Sequence, residues 1–221
     1  MNRSFIYHVT LDYEGKAARI LQIGYHGNTP DIALADVERN GSVWVAIDGG
    51  LYKLAIEHGR LVKHVINPAF SHMKENFITS LKVVRGDVWI GSSQGLLRYN
   101  LIQKTLRKYH HSMAVGSLSH DYVSSLAVSA EGLLLVGTLG GVDFYQPTTN
   151  DFLHWNAGSK TNPLSSNFVN CLFVYHGFTW VGTETGGITK LNPRPLQLEN
   201  FSHTDAVTSL SPNAVNAMYA E

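Results

Sequence analysis

A single cysteine, Cys171, stands in 221 residues, which excludes an internal disulfide and any metal site built from several thiolates. Charge is scarce: Asp, Glu, Lys and Arg make up 15% of the chain, against roughly 25% in ordinary soluble domains. The 17 cations balance the 17 anions, so no net field invites nucleic acid or an anionic membrane. No apolar run reaches the roughly 18 residues of a membrane-spanning helix. The opening Met1-Asn2-Arg3-Ser4-Phe5 lacks the apolar stretch of a signal peptide, which leaves two expectations, a cytosolic protein or a piece cut from a longer precursor. Neither His-Glu-x-x-His nor Gly-x-Ser-x-Gly occurs. Apolar residues, at 44%, are plentiful enough for a core, and the length suits one domain or a slice of a larger one.

What the sequence does contain is a repeat. Val43-Trp44-Val45-Ala46, Val88-Trp89-Ile90-Gly91, Leu134-Leu135-Val136-Gly137 and Thr179-Trp180-Val181-Gly182 align, and the column 44, 89, 135, 180 steps by 45, 46 and 45. A glycine column follows at Gly50, Gly95, Gly141 and Gly187, each succeeded by an apolar residue. Upstream, Asn76-Phe-Ile-Thr-Ser-Leu81, Asp121-Tyr-Val-Ser-Ser-Leu126, Asn167-Phe-Val-Asn-Cys-Leu172 and Asn213-Ala-Val-Asn-Ala-Met218 share the period, as do His64, Tyr109, Trp155 and Phe201. Independent columns with one period identify a repeat architecture.

Within a unit the pattern reads as strand throughout. Asn167–Val174 is rich in β-branched and aromatic residues, His176-Gly177 is a turn, and Thr179–Thr183 is a second strand. Thr185-Gly186-Gly187 supplies a tight turn, Ile188–Leu191 a third strand, and Asn192-Pro193-Arg194-Pro195 a break. Leu196–Phe201 is the fourth strand, and a polar loop over 202–212 leads to the next unit. No window carries helical periodicity. Four antiparallel strands in about 45 residues describe a blade, so the expected fold is an all-β propeller. The small column Ser80, Ser125, Cys171 and Ala217 fits first strands that converge near a central axis, and it makes Cys171 a filler rather than a nucleophile.

Tyr7 aligns with Tyr52, so residues 1–25 are expected to form a partial blade, followed by blades over 26–75, 76–120, 121–166 and 167–212 and a closing strand over 213–221, all as one domain. That makes about 4.5–5 blades. Phe5 stands where the turn glycine belongs, and a second strand is missing. Two outcomes fit: the end pieces share a fifth blade and close a ring, or the chain is part of a larger, seven-bladed propeller with open edges that invite pairing.

Trp180-Val-Gly-Thr-Glu-Thr-Gly-Gly-Ile-Thr-Lys-Leu-Asn192 and Ser209-Leu-Ser-Pro-Asn-Ala-Val215, with Trp89-Ile-Gly-Ser-Ser-Gln-Gly-Leu-Leu-Arg-Tyr-Asn100 and Ser117-Leu-Ser-His-Asp-Tyr-Val123, resemble the two-component regulator propeller repeat. Leu135 in place of Trp, Ala46 in place of Gly and a shortened loop over 67–75 depart from that pattern. The resemblance implies the periplasmic sensor region of a hybrid histidine kinase or a diguanylate cyclase, anchored in the inner membrane. The kinase histidine box, nucleotide loop and receiver are not in this sequence, so any output activity lies outside it.

Gly140-Gly141 and Gly186-Gly187 precede no helix and read as turns rather than phosphate loops. The 11 histidines include His72, His110, His111, His120 and His203 in or beside comparable loops, and loop roles are favoured over a metal site. The column His8, Lys53, Arg98, Lys190, interrupted by Phe144, reads as a solvated face with local charge pairing. Tyr109, Trp155 and Phe201 recur in phase and read as packing. Loops from fourth to first strands and turns from second to third strands emerge on one face, where ligands converge on propellers. Candidate binding residues there are Asp48, Gln94, His110, His111, Trp155, Lys160, Glu184 and Asp205. Leu118, Leu164 and Leu210 recur as loop anchors flanked by serines.

The leading expectation is a non-catalytic sensor segment that binds a small molecule, with an oligosaccharide as the family-level guess, and needs no cofactor or metal. Two alternatives stand beside it. One is a propeller lyase or glycoside-processing enzyme, whose paired carboxylates would come from Asp48, Glu184 and Asp205. The other is an interaction scaffold that dimerises through open blade edges.

Overall fold

Four-stranded antiparallel sheets recur through the protein, and none of the described residues is helical. The structure is a computed structural model that describes residues 5–11, 17–24, 32–37, 43–47, 50–57, 60–67, 78–160, 163–193, 196–204, 209–210 and 213–218. It comprises two compact units, Met1–Glu75 and Asn76–Glu221. In the first, β1 (Phe5–Leu11) pairs with β2 (Ala17–Gly24), and β3 (Ile32–Val37), β4 (Val43–Ile47), β5 (Gly50–Glu57) and β6 (Arg60–Asn67) form one sheet in chain order.

The second unit holds three sheets, each also in chain order. They are β7 (Ile78–Val84), β8 (Asp87–Ser92), β9 (Gly95–Asn100) and β10 (Thr105–Tyr109); β11 (Val123–Val128), β12 (Leu134–Thr138), β13 (Gly141–Gln146) and β14 (Asp151–Trp155); and β15 (Val169–Tyr175), β16 (Phe178–Thr183), β17 (Ile188–Pro193) and β18 (Leu196–Phe201). The first strand of the middle sheet, β11, lies against β7 on one side and β15 on the other. These are the blades of a β-propeller. Arg85-Gly86 and His176-Gly177 close the first hairpins with two successive positive φ angles, which suits the right-handed twist of the strands they join. The strand β17 runs to Pro193 rather than stopping at Leu191, because a proline is tolerated where the ladder ends. Of the expected closing strand over 213–221, Asn213–Met218 form no ladder and 219–221 lie outside the described residues.

The glycine of the Trp-x-Gly signature has a packing reason. A Cβ on Gly91 would sit 2.6 Å from Val123 Cγ1, one on Gly137 2.8 Å from Val169 Cγ1, and one on Gly182 2.8 Å from Val215 Cγ1. Each valine belongs to the segment that opens the following repeat. Val215 also donates its N–H to the Thr183 carbonyl at 2.9 Å, so it takes the expected place although its segment makes no ladder. The register slips between Ile78 and Ser80, Val123 and Ser125, Val169 and Cys171, and Ile32 and Ala35, so every first strand that belongs to a four-stranded sheet carries a bulge at the same position. Ser80, Ser125 and Cys171 of the small column lie at that bulge, whereas Ala217, in the segment without a ladder, is exposed. Ser125 Oγ accepts from Leu172 N at 3.1 Å, Cys171 Sγ lies 3.7 Å from the Val215 carbonyl, and neighbouring Thr79 donates to the Val123 carbonyl. Burial pushes the Cys171 thiol above its ordinary range, in keeping with a filler.

The cationic column is corrected by the structure. Trp44 pairs with Lys53, Trp89 with Arg98 and Trp180 with Lys190 across adjacent strands, and each cation lies over its tryptophan at 5.2, 5.4 and 5.5 Å. Where Leu135 replaces tryptophan, its partner is Phe144, so ring and cation vanish together. The column is a set of cross-strand cation–π pairs rather than a solvated face, while the expected local charge pairing holds for Arg98 with Asp87 and for Lys190 with Glu199. Arg98 goes further: it binds Asp87 Oδ2 at 2.6 Å and donates to Tyr145 Oη of the next blade at 2.7 Å. Asn150, at φ 57°, accepts from Tyr109 at 2.7 Å and Tyr145 at 3.0 Å. Burial, and then the adjacent Tyr109, pushes the Tyr145 hydroxyl up to about 12, so it stays protonated and able to donate. Around this polar knot pack Trp89, Leu96, Leu126, Val136 and Phe152, the main core of the two blades.

Candidate functional site

The second-to-third strand turns and the fourth-to-first strand loops meet on one face. The hydroxyls of Ser92, Thr138 and Thr183 each accept from the second residue or third residue of their own turn and donate back to the glycine carbonyl that closes it. This is the physical role of the hydroxyl after Trp-x-Gly. The turn glycines Gly95, Gly141 and Gly187 have φ of 116°, 125° and 75°, and their Cα atoms face the last residues of the fourth strand; a Cβ on Gly95 would lie 3.0 Å from His110 Nδ1. The preceding loop covers the same turn, with Ser119 Oγ 2.8 Å from Thr138 Oγ1 and Ser166 Oγ 3.0 Å from Thr185 Oγ1.

The loops themselves are built alike. His111 N donates to Asp121 Oδ1 at 2.6 Å and Ala157 N to Asn167 Oδ1 at 2.7 Å, while His203 N donates to Asn213. The Asp/Asn column therefore caps each loop base. The His111 and His203 rings reach the carbonyls of Leu118 and Leu210 at 2.8 and 2.6 Å, and Leu118 and Leu164 are buried as anchors. One further support is fully buried: Asp143, at 0% exposure, accepts from Ser119 N at 2.9 Å and meets His154 Nδ1 at 2.8 Å. Hydrogen bonding to Asp143 raises the His154 pKa above its ordinary value, although burial opposes it. Thr189 and Asn200 occupy the matching places in the following blade.

The expected site residues fall into separate groups. Gln94 is exposed in the β8–β9 turn, next to exposed His110, whose Nδ1 lies 3.9 Å from Asp121. An exposed pair at that distance contributes little. His111 is exposed and its ring clamps the loop through Nδ1. Trp155 is half-buried with its ring 6.1 Å from Phe144, and Lys160 is exposed in the loop beyond it. Glu184 is exposed in the β16–β17 turn and its N–H binds the Phe168 carbonyl at 2.9 Å. Asp48 and Asp205 lie outside the described residues. No three of His, Cys, Asp and Glu gather around a common point among the described residues.

Two residues were missed by the sequence reading. Tyr122 and Phe168 occupy the same repeat position, just before the first strand, and are 38% and 47% exposed. Each directly precedes a valine that is fully buried, Val123 or Val169. The alternation of a strand explains this: the valine turns into the blade and the aromatic turns out. The aromatic column Phe77, Tyr122, Phe168 carried the signal.

No family model matches the chain, and no curated protein matches it. Solved structures do. The extracellular domain of the hybrid two-component system BT3049 of B. thetaiotaomicron is similar over 78% of this chain, with 21% identity and a TM-score of 0.58. The extracellular domain of the one-component system BT4673 of the same organism is similar over 90%, with 20% identity and a TM-score of 0.58. PorZ, a surface component of the type-IX secretion system of Porphyromonas gingivalis, matches over 92% with 14% identity and a TM-score of 0.65. A streptogramin B lyase matches over 86% with 13% identity and a TM-score of 0.58. The chain spans 24%, 26%, 32% and 60% of these proteins respectively. At such identities the likeness establishes the fold alone, a stretch of β-propeller made of four-stranded antiparallel blades.

Proposed function

We propose that this chain belongs to a non-catalytic extracytoplasmic sensor of the two-component type. In this reading the loop face binds a small ligand and passes the signal to an output domain elsewhere. The observation that carries it is the recurrence of exposed aromatic side chains, Tyr122 and Phe168, at one repeat position on that face. An aromatic ring left open beside polar turns suits the apolar face of a sugar, so an oligosaccharide is the proposed ligand class. Gln94, His110, Lys160 and Glu184 supply exposed polar groups around it. The resemblance of the repeats and the extracellular domains among the structural neighbours support this setting, and the periplasm is the compartment proposed. Ligand binding transmits a signal only by favouring one arrangement of the sensor over another.

Calorimetry against a panel of neutral and acidic oligosaccharides tests the proposal. One class is expected to bind, with affinity at least ten-fold weaker in Phe168→Ala and Glu184→Gln at unchanged melting temperature. Binding that both variants leave intact would remove the loop face from the argument. The enzymatic reading keeps a place because a lyase shares the fold. It predicts substrate turnover that Glu184→Gln abolishes, whereas the sensor reading predicts none.

A further inference from the structure

We propose a second binding site, for an oxyanion group, on the opposite side of the β7–β10 blade from the ligand-binding face. A cleft of about 150 Å³ there is lined by Arg98, Asn100, Gln103, Thr105 and Arg107. The antiparallel pairing of β9 and β10 sets Arg98 opposite Arg107 and Asn100 opposite Thr105, so four polar side chains share one face of the hairpin in a two-by-two grid. Two guanidinium groups directly opposite each other repel. Arg98 is compensated by Asp87 and Tyr145. Arg107 is exposed and makes no ion pair or hydrogen bond among the described residues.

The stretch of chain that carries the cleft is one-sided in charge. No Asp or Glu stands between Asp87 and Asp121, while Arg98, Lys104, Arg107 and Lys108 all fall there, and of these Arg98 and Arg107 line the cleft. In a chain of zero net charge this is a local excess of positive charge. The acid beside the cleft is already engaged at both oxygens: Asp87 Oδ2 accepts from Arg98 at 2.9 Å and Oδ1 from Asn100 at 2.7 Å. Asn100 in turn uses its amide oxygen to hold the N–H groups of Ile102 and Gln103 at 3.1 and 2.7 Å, which fixes the hairpin turn. What remains for a ligand is a set of donors: the Arg107 fork, the Thr105 hydroxyl and the Gln103 amide. A guanidinium fork with flanking donors matches sulfate, phosphate or carboxylate oxygens. The volume admits one such group, leaving the remainder of any larger ligand outside.

Calorimetric titration of the chain with inorganic sulfate, inorganic phosphate and acetate, at constant ionic strength, is the test. Saturable binding of at least one anion is expected, at least ten-fold weaker in Arg107→Gln and unchanged in Lys104→Gln, whose charge lies at the turn and does not line the cleft. Thr105→Val, which keeps every charge, is expected to weaken the same anion several-fold, and it decides the matter where Arg107→Gln lowers the melting temperature. Methyl sulfate and glucuronate arms separate a group carried on a larger molecule from a free ion. Absence of saturable binding by every anion, or equal weakening in Lys104→Gln, would overturn the site and leave a generally basic surface.

Discussion

Replacing Gly91 with alanine tests the contact that joins one blade to the next. The new methyl would lie 2.6 Å from Val123 Cγ1 and 3.2 Å from its Cβ, with Ser80 Oγ closer still. Carbon atoms rest at about 3.5–4.0 Å, so the overlap is about 1 Å. Val123 is fully buried and cannot swing away, and Ser80 sits at a bulge whose backbone is held by the ladder. Overpacking of this kind costs about 1–3 kcal/mol, and two trapped neighbours place it at the upper end, about 3 kcal/mol. For a chain of this size that is a drop of roughly 10 °C in melting temperature. Urea titration and thermal melting measure it. Val123→Ala alone is also destabilising, by about 2 kcal/mol for the lost methyls. Together the two changes remove the overlap with Val123 Cγ1 and leave the one with Ser80, so the double variant is expected to be about 1 kcal/mol more stable than the sum of the singles. Additive losses, or an alanine at 91 that melts with the wild type, would refute the interlock.

The remaining predictions concern the polar supports. Ser125→Ala leaves the Leu172 N–H without its 3.1 Å acceptor and is expected to cost about 1 kcal/mol, whereas Ser80→Ala removes a buried hydroxyl that has no partner among the described residues and is expected to be neutral or stabilising in the same denaturation assay. Arg98→Met leaves Asp87 Oδ2 without its cation and is expected to destabilise by about 2 kcal/mol, discounted for the partial exposure of the pair, while Lys190→Met costs about 1 kcal/mol or less, because Glu199 is exposed and the contact with Trp180 is what is lost. His154 has a raised folded pKa, so its stabilisation is fully present below its ordinary 6.5 and is lost as pH rises through the folded value. Wild type and His154→Gln are therefore expected to differ most in melting temperature at acidic pH and to converge at alkaline pH; a constant gap from pH 5.5 to 8.5 would exclude the linkage.

Much of the fold was legible because propeller units repeat their constraints. Strand two, the turn glycine and the loop anchors each recur at one period, and the structure puts strands, turns and the buried Leu118 and Leu164 where that period places them. What resisted reading was contact between units. Arg98 is a charged residue in an alternating strand, and nothing local says that Tyr145, 47 positions on, will accept its hydrogen bond. The joint loss of Trp and cation at Leu135 and Phe144 carried a signal only for the pairing within a blade. The loop histidines were legible as loop residues but not as clamps, because the Leu118 and Leu210 carbonyls they reach lie seven residues away across a turn. Tyr122 and Phe168 escaped because an aromatic in a strand-like signature reads as core until the buried valine beside it is seen.

The valine that fills the notch over each glycine makes the cooperative module different from the module of the alignment. A fragment cut at Ser119 or His120 would strip Gly91 of its cover and expose the inner seam of a blade whose own residues are all present. A fragment extended through Val123 would carry its lid with it. Shuffling or transplanting these blades therefore calls for borders a few residues downstream of the repeat boundary, so that each donor piece travels with the first turn of its successor.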